Sequence, residues 1–100
     1  MTMRIYVVAR FAIRPAATAE FIALATRLLV LPTRQEAGCD RSQLVQNSDD
    51  PSHFALLETW ISAAELAAHL AQPGLGAALN ELRPLIAAPP LVEKFCDTVN

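Results

Sequence analysis

Three side chains are of a type and spacing that could move protons or hold an aromatic ligand: Glu58, Trp60 and His69. If the segment around residues 58–60 is a strand, Glu58 and Trp60 share one of its faces, because successive side chains alternate sides. An imidazole titrates near neutral pH, which suits His69 to accept a proton. Glu65 precedes it by one helical turn, so a carboxylate would stand on the same side of a helix. Trp60 offers a flat wall to an aromatic ligand, although a tryptophan in a half-buried strand also serves as core. Glu58 is the odder residue. A carboxylate pointing beneath a helical layer must be paired, hydrated or protonated, and each option needs polar space there. The plain structural readings are an ion pair of Glu58 with Arg34 or Arg10, a surface pair of His69 with its neighbouring glutamate, and Arg34 as a cation closing a helix C-terminus.

Other chemistries find little support. There is no glycine-rich phosphate loop, no histidine pair at ligand spacing, no serine elbow and no carboxylate set for a metal, so neither a metal nor a nucleotide cofactor is expected. Cys39 and Cys96 lack metal-ligand spacing, and a reducing compartment would leave both as thiols. Eight basic and ten acidic residues are scattered singly to a net charge of −2, which gives phosphates no basic stripe and makes nucleic acid an unexpected partner. Apolar runs such as 28–32 and 54–57 fall short of the ~20 residues a bilayer requires. The start lacks the pattern of a secretory leader. The expectation is a soluble, cytoplasmic protein with no membrane partner.

One hundred residues make one domain, 1–100. A period of two over 4–13 predicts a strand closed by Pro15. Thr18 can cap the helix that follows, from about 18 to 36, with Phe21, Leu24, Ala25, Leu28 and Leu29 at helical spacing and Gly38 as its stop. Pro32 removes a backbone donor within it, so its last turns should be irregular. Residues 39–46 and 53–61 read as two arms of a hairpin joined by the turn formers Asn47, Ser48, Asp49, Asp50 and Pro51. Ser62 and Glu65 form a capping box opening a short helix through Leu66, His69 and Leu70 that ends at Pro73 and Gly74. A helix over about 75–83 and a strand over 91–98 complete the order β, α, β, β, α(α), β.

That order is α+β, a ferredoxin-like sandwich in which helices cover one face of a four-stranded antiparallel sheet. The chain is 53% hydrophobic and 18% charged, against roughly 45–50% and about 25% for an average domain. Both faces of the first and third strands are apolar, where a half-solvated sheet would alternate. A second copy placed sheet to sheet by a two-fold axis is the expected cover, giving a homodimer with a shared barrel-like core.

The strand Ile5, Tyr6, Val7, Val8, Ala9, Arg10, Phe11, then Pro15, Phe21, Pro32, Thr33, Arg34, Glu36, Gly38 and Cys39, resembles the antibiotic biosynthesis monooxygenase family. Asp49, Asp50, Pro51, Phe54, Glu58, Trp60, Glu65, Leu66, His69, Leu70 and Pro73 continue the likeness, which is similar to its quinol-monooxygenase-like branch and spans nearly the whole chain.

The resemblance implies a dimeric α+β barrel with one pocket per subunit between sheet and helices. It implies oxygen insertion into a quinol or polyphenol, a small aromatic substrate, without flavin, haem or metal. A deprotonated electron-rich ring can itself reduce dioxygen, so the protein need only bind, deprotonate and exclude water. On that basis His69 is expected to transfer protons, Trp60 to stack and position, and Glu58 to hold polar order, with Phe11, Phe54, Leu66 and Arg34 contributing to substrate binding. Haem-degrading relatives carry an asparagine on the first strand where this chain has Ala9, so haem is not expected. Two other readings are an isomerase that shuttles protons in the same pocket and a small-molecule-binding dimer without catalysis.

Overall fold

The computed structural model describes residues 3–99. Strand β1 (Ile5–Ala12) leads through a 3₁₀ turn (Pro15–Ala17) into helix α1 (Thr18–Ala25). A π-helical turn (Thr26–Val30) then joins α1 to α2 (Leu31–Arg34). Strands β2 (Cys39–Gln46) and β3 (His53–Trp60) form the hairpin, α3 (Ala63–Leu70) and α4 (Pro73–Leu82) follow, and β4 (Leu91–Cys96) closes the fold. The sheet has the order β2-β3-β1-β4 and is antiparallel throughout. This is the ferredoxin-like arrangement expected of the element order.

Cross-strand register assigns the faces. Val7 stands opposite Glu58, Ala9 opposite Leu56 and Phe11 opposite Phe54, and all six are buried beneath the helices. Phe21 of α1 is fully buried against two of them, its ring centroid 5.6 Å from Phe11 and 5.0 Å from Phe54. Ala25, Leu29 and Val30 extend that core, and α4 adds Ala78 and Leu82. A smaller cluster, Val7, Trp60 and Leu66 with Ile5 and Cys39 at its margin, lies toward the other end of the sheet.

The first helix does end irregularly around Pro32: Leu31 donates its N–H to Thr26, five residues back, so the ladder widens by one residue just before the proline. Several boundaries differ from expectation. Thr18 is the first residue of α1 rather than its cap, and its hydroxyl turns back to the Pro15 carbonyl at 3.3 Å. Pro73 begins α4 instead of ending the preceding helix, because the first helical position needs no N–H donor. The last strand stops at Cys96, short of residue 98. Ser62 does cap α3, accepting the Glu65 N–H at 3.3 Å.

Residues Pro15–Arg34 form a helical run of 20 residues with a mean hydropathy of 1.3, long and apolar enough to cross a membrane by length and composition alone. Shorter uninterrupted apolar runs conceal this in the sequence. Phe21, Ala25, Leu29 and Val30 of this run are buried on the sheet, while Ile22 and Leu31 are exposed.

The opposite face carries Tyr6, Val8, Arg10, Ala55, Leu57, Leu91 and Phe95 by the same register. Tyr6, Leu91 and Phe95 are exposed there. Arg10 forms an ion pair with Glu93 on this face.

Candidate functional site

Strand alternation carries Glu58 and Trp60 to the helical side of β3, and Trp60 Nε1–H donates to Glu58 Oε1 at 2.9 Å. The Ser62 cap fixes where α3 begins, and that start turns Leu66 and His69, three residues apart, toward the sheet. The imidazole of His69 lies over Trp60 with ring centroids 4.7 Å apart and planes inclined by 36°. Its Nδ1 faces both carboxylate oxygens of Glu36, at 2.9 and 2.8 Å. Gln72 donates from Nε2 to the same carboxylate at 2.9 Å. The result is a continuous set: Gln72 and His69 on Glu36, His69 on Trp60, and Trp60 on Glu58.

A carboxylate only accepts, so Nδ1 carries the hydrogen toward Glu36, and in the neutral form of the ring the lone pair is on Nε2. That is the tautomer a proton acceptor requires. Trp60, His69 and Glu58 are 0%, 4% and 7% exposed, whereas Glu36 is partly buried and Gln72 is exposed, so the set runs from the core out to solvent at Gln72.

The structure brings Glu58, Trp60 and His69 together, but with partners other than those expected. Glu65 does not reach His69. Its stem packs against Gly38, where an added Cβ would lie 2.5 Å from Glu65 Cγ, and the helical spacing that recommended it is overridden by the position of Glu36. Glu58 is satisfied by the indole and not by an arginine: Arg10 is across the sheet on Glu93, and Arg34 donates from Nε to the Ser42 carbonyl at 2.8 Å. Glu36 and Gln72 carried no signal of this role, because the contact to His69 closes over a separation of 33 residues.

Four clefts of about 300 to 540 Å³ open on the surface, and none of these has Glu58, Trp60 or His69 in its lining. The nearest in structure is an apolar cleft of about 300 Å³ between α3 and the β1–β4 edge, lined by Ile5, Ala63, Leu66, Leu70, Lys94 and Cys96 among others. Leu66 is its shared wall with the buried set, since the same side chain packs against Trp60. Phe11 and Phe54 are remote from it, packed at a tilt on Phe21 and lining a separate cleft of about 420 Å³. Arg34 lines a third cleft, of about 320 Å³, at the β2 edge. Of the four residues expected to bind substrate, Leu66 alone adjoins the buried set. Among the described residues, no group of three His, Cys, Asp or Glu side chains is placed to hold a metal ion.

A sequence profile of the family described as antibiotic biosynthesis monooxygenase matches residues 4–81. No curated protein matches the chain. Among solved structures, one from Caulobacter crescentus CB15, provisionally named an antibiotic biosynthesis monooxygenase, superposes with a TM-score of 0.87 at 28% identity, over 99% of this chain and 92% of that one. A protein from Mycobacterium tuberculosis superposes with a TM-score of 0.85 at 27% identity, over 97% of each chain. A third structure, from Nitrosomonas europaea, has a TM-score of 0.86 at 20% identity over 95% of this chain and 90% of that one, and speaks to the fold alone.

Proposed function

Because this chain belongs to the antibiotic biosynthesis monooxygenase family, we propose that it oxidises a quinol or polyphenol with dioxygen and without a cofactor. The aromatic ring enters the apolar cleft beneath α3, whose volume of about 300 Å³ sits at the lower end of the range for small-molecule sites. Rotation of Leu66 would open that cleft toward Trp60 and His69. His69 Nε2 takes the phenolic proton, while Glu36 and Gln72 hold the ring in the required tautomer. Trp60 sets the plane against which the substrate lies, and the bond to Glu58 fixes the indole.

The reaction balances without an external reductant. Quinol and dioxygen give a hydroxyquinone and water: one oxygen atom replaces a ring hydrogen, the other leaves as water, and the quinol supplies all four electrons. The protein's part is to deprotonate, position and exclude water.

The observation that carries this reading is the partly buried coupling of His69 Nδ1 to Glu36 directly over Trp60. Oxygen uptake with a panel of dihydroquinones tests it. Wild type should consume oxygen faster than His69→Ala by about 100-fold or more, the scale of a positioned general base. Equal rates would remove the base.

The burial of Trp60 and His69 favours one second reading, a small-molecule-binding protein without turnover. It would show ligand-dependent stabilisation with no product. In either reading the inferred partner is a second copy, seated on the face that bears Tyr6, Val8, Leu57 and Phe95.

A further inference from the structure

Ser42 is 2% exposed, and among the described residues its Oγ has no hydrogen-bond partner. Buried hydroxyls are ordinarily paired, so an orphan in the wall of a cleft points to a ligand. The cleft, about 320 Å³, lies at the free edge of β2 beside a bulge at Asp40 and is lined by Arg34, Cys39, Asp40, Arg41, Ser42 and Gln43. Arg34 is anchored there by its Nε–H on the Ser42 carbonyl at 2.8 Å. That bond orients the guanidinium plane and leaves both terminal amino groups for another acceptor. No ion pair among the described residues claims them.

The nearby carboxylates are engaged elsewhere. Asp40 is held by Arg4 at 2.7 Å, Glu36 by His69 and Gln72, and Glu58 by Trp60. Arg41 adds a second positive charge to the rim, its guanidinium bound to Gln43 Oε1 at 2.6 and 3.2 Å. Burial, and then the Glu58 charge, push the Cys39 thiol up, so it stays neutral and donates to the Arg41 carbonyl.

We propose that Arg34 and Ser42 form a binding site for the carboxylate of a small organic acid, at the opposite edge of the sheet from the apolar cleft beneath α3. Two parallel N–H groups of a fixed guanidinium match the two oxygens of a planar carboxylate, which lysine could not do. The unpartnered Ser42 hydroxyl, buried beside the cleft, would supply a third donor once a ligand is seated. β3 and β1 separate this site from the apolar cleft at β4. Although Ser42 and Cys39 stand opposite Glu58 and Trp60 in register, carboxylate binding here depends on Arg34 and Ser42 and does not rest on the proposed reaction.

Calorimetric titration of the intact protein tests the assignment, with benzoate as probe, methyl benzoate as its neutral twin, and acetate and inorganic phosphate alongside. Wild type should prefer benzoate to methyl benzoate by about 10-fold or more, the scale of a charged hydrogen-bonded pair. Arg34→Gln should erase that preference. Ser42→Ala should weaken benzoate while leaving thermal stability unchanged or raised, because it deletes an unpaired buried hydroxyl. Acetate equal to benzoate would mark recognition of the carboxylate alone, and weaker acetate a contribution from the ring; both support the site. Equal binding of benzoate and its ester, a preference that survives Arg34→Gln, or phosphate binding tighter than benzoate would overturn it. A protein that binds benzoate in this way but consumes no oxygen with quinols would keep this site and lose the proposed reaction.

Discussion

Trp60 Nε1 donates to Glu58 Oε1 at 2.9 Å, so the indole N–H, which would otherwise be unpaired beneath the helices, is satisfied by a carboxylate two residues back on the same strand. Glu58→Leu strands that N–H and should destabilise the fold by about 1–3 kcal/mol, the cost of an unsatisfied buried donor. Glu58→Gln keeps an acceptor oxygen and should lose less. Urea unfolding followed by the fluorescence of the single tryptophan reads both, and equal midpoints for wild type and Glu58→Leu would deny the bond any weight.

Gly38 joins α2 to β2 with φ of +83°, a conformation that L side chains rarely adopt, and Glu65 crowds its Cα. Gly38→Ala should cost about 1–3 kcal/mol in backbone strain before any clash is counted. Adding Glu65→Ala should recover only part of the loss, since the Glu65 Cβ would itself remain 2.7 Å from the new methyl. Full recovery would show that crowding, and not the dihedral, fixes the glycine.

The two thiols should behave differently. Cys96 is exposed and Cys39 half-buried, so a disulfide-exchange reagent should label one site quickly and the other slowly. Burial holds the Cys39 thiol above its ordinary value of 9.0. The folded state therefore keeps its proton more tightly than the unfolded chain does. The associated stability is full below the ordinary value and is lost as pH rises through the folded one. Unfolding midpoints measured on either side of that value should fall less steeply in Cys39→Ala than in wild type; parallel slopes would contradict the assignment.

Leu57 sits at the centre of the sheet face that the helices leave bare, beside Val8 on β1. If a second copy covers that face, Leu57→Glu buries an unpaired charge in the interface and should convert a dimer to a monomer in sedimentation at equal concentration. A wild-type protein that sediments as a monomer at high concentration would end the proposal.

The strand pattern was legible because β1 and β3 alternate cleanly and their registers place like faces together, as Phe11 does opposite Phe54. Pro32 announced an irregular helix, though a missing donor alone cannot distinguish a kink from the π turn that forms. Glu58, Trp60 and His69 were found because each is chemically out of place in an apolar chain. Their partners were not. Local spacing offered Glu65 to His69, whereas the fold supplies Glu36 across 33 residues and spends Glu65 on Gly38. Phe11 and Phe54 illustrate the converse, since an aromatic side chain on a strand can serve as core or as pocket, and here both pack on Phe21 and also line the cleft of about 420 Å³. The orphaned Ser42 hydroxyl has no signature in sequence at all.

The most direct test of the chemistry is the fate of heavy-isotope dioxygen in a reaction with a dihydroquinone and no added reductant. One labelled atom should appear in the hydroxyquinone and the other in water, with one dioxygen consumed per quinol, and both signals should vanish in His69→Ala. An unlabelled quinone accompanied by hydrogen peroxide, at a rate unaffected by that substitution, would contradict oxygen insertion by this protein.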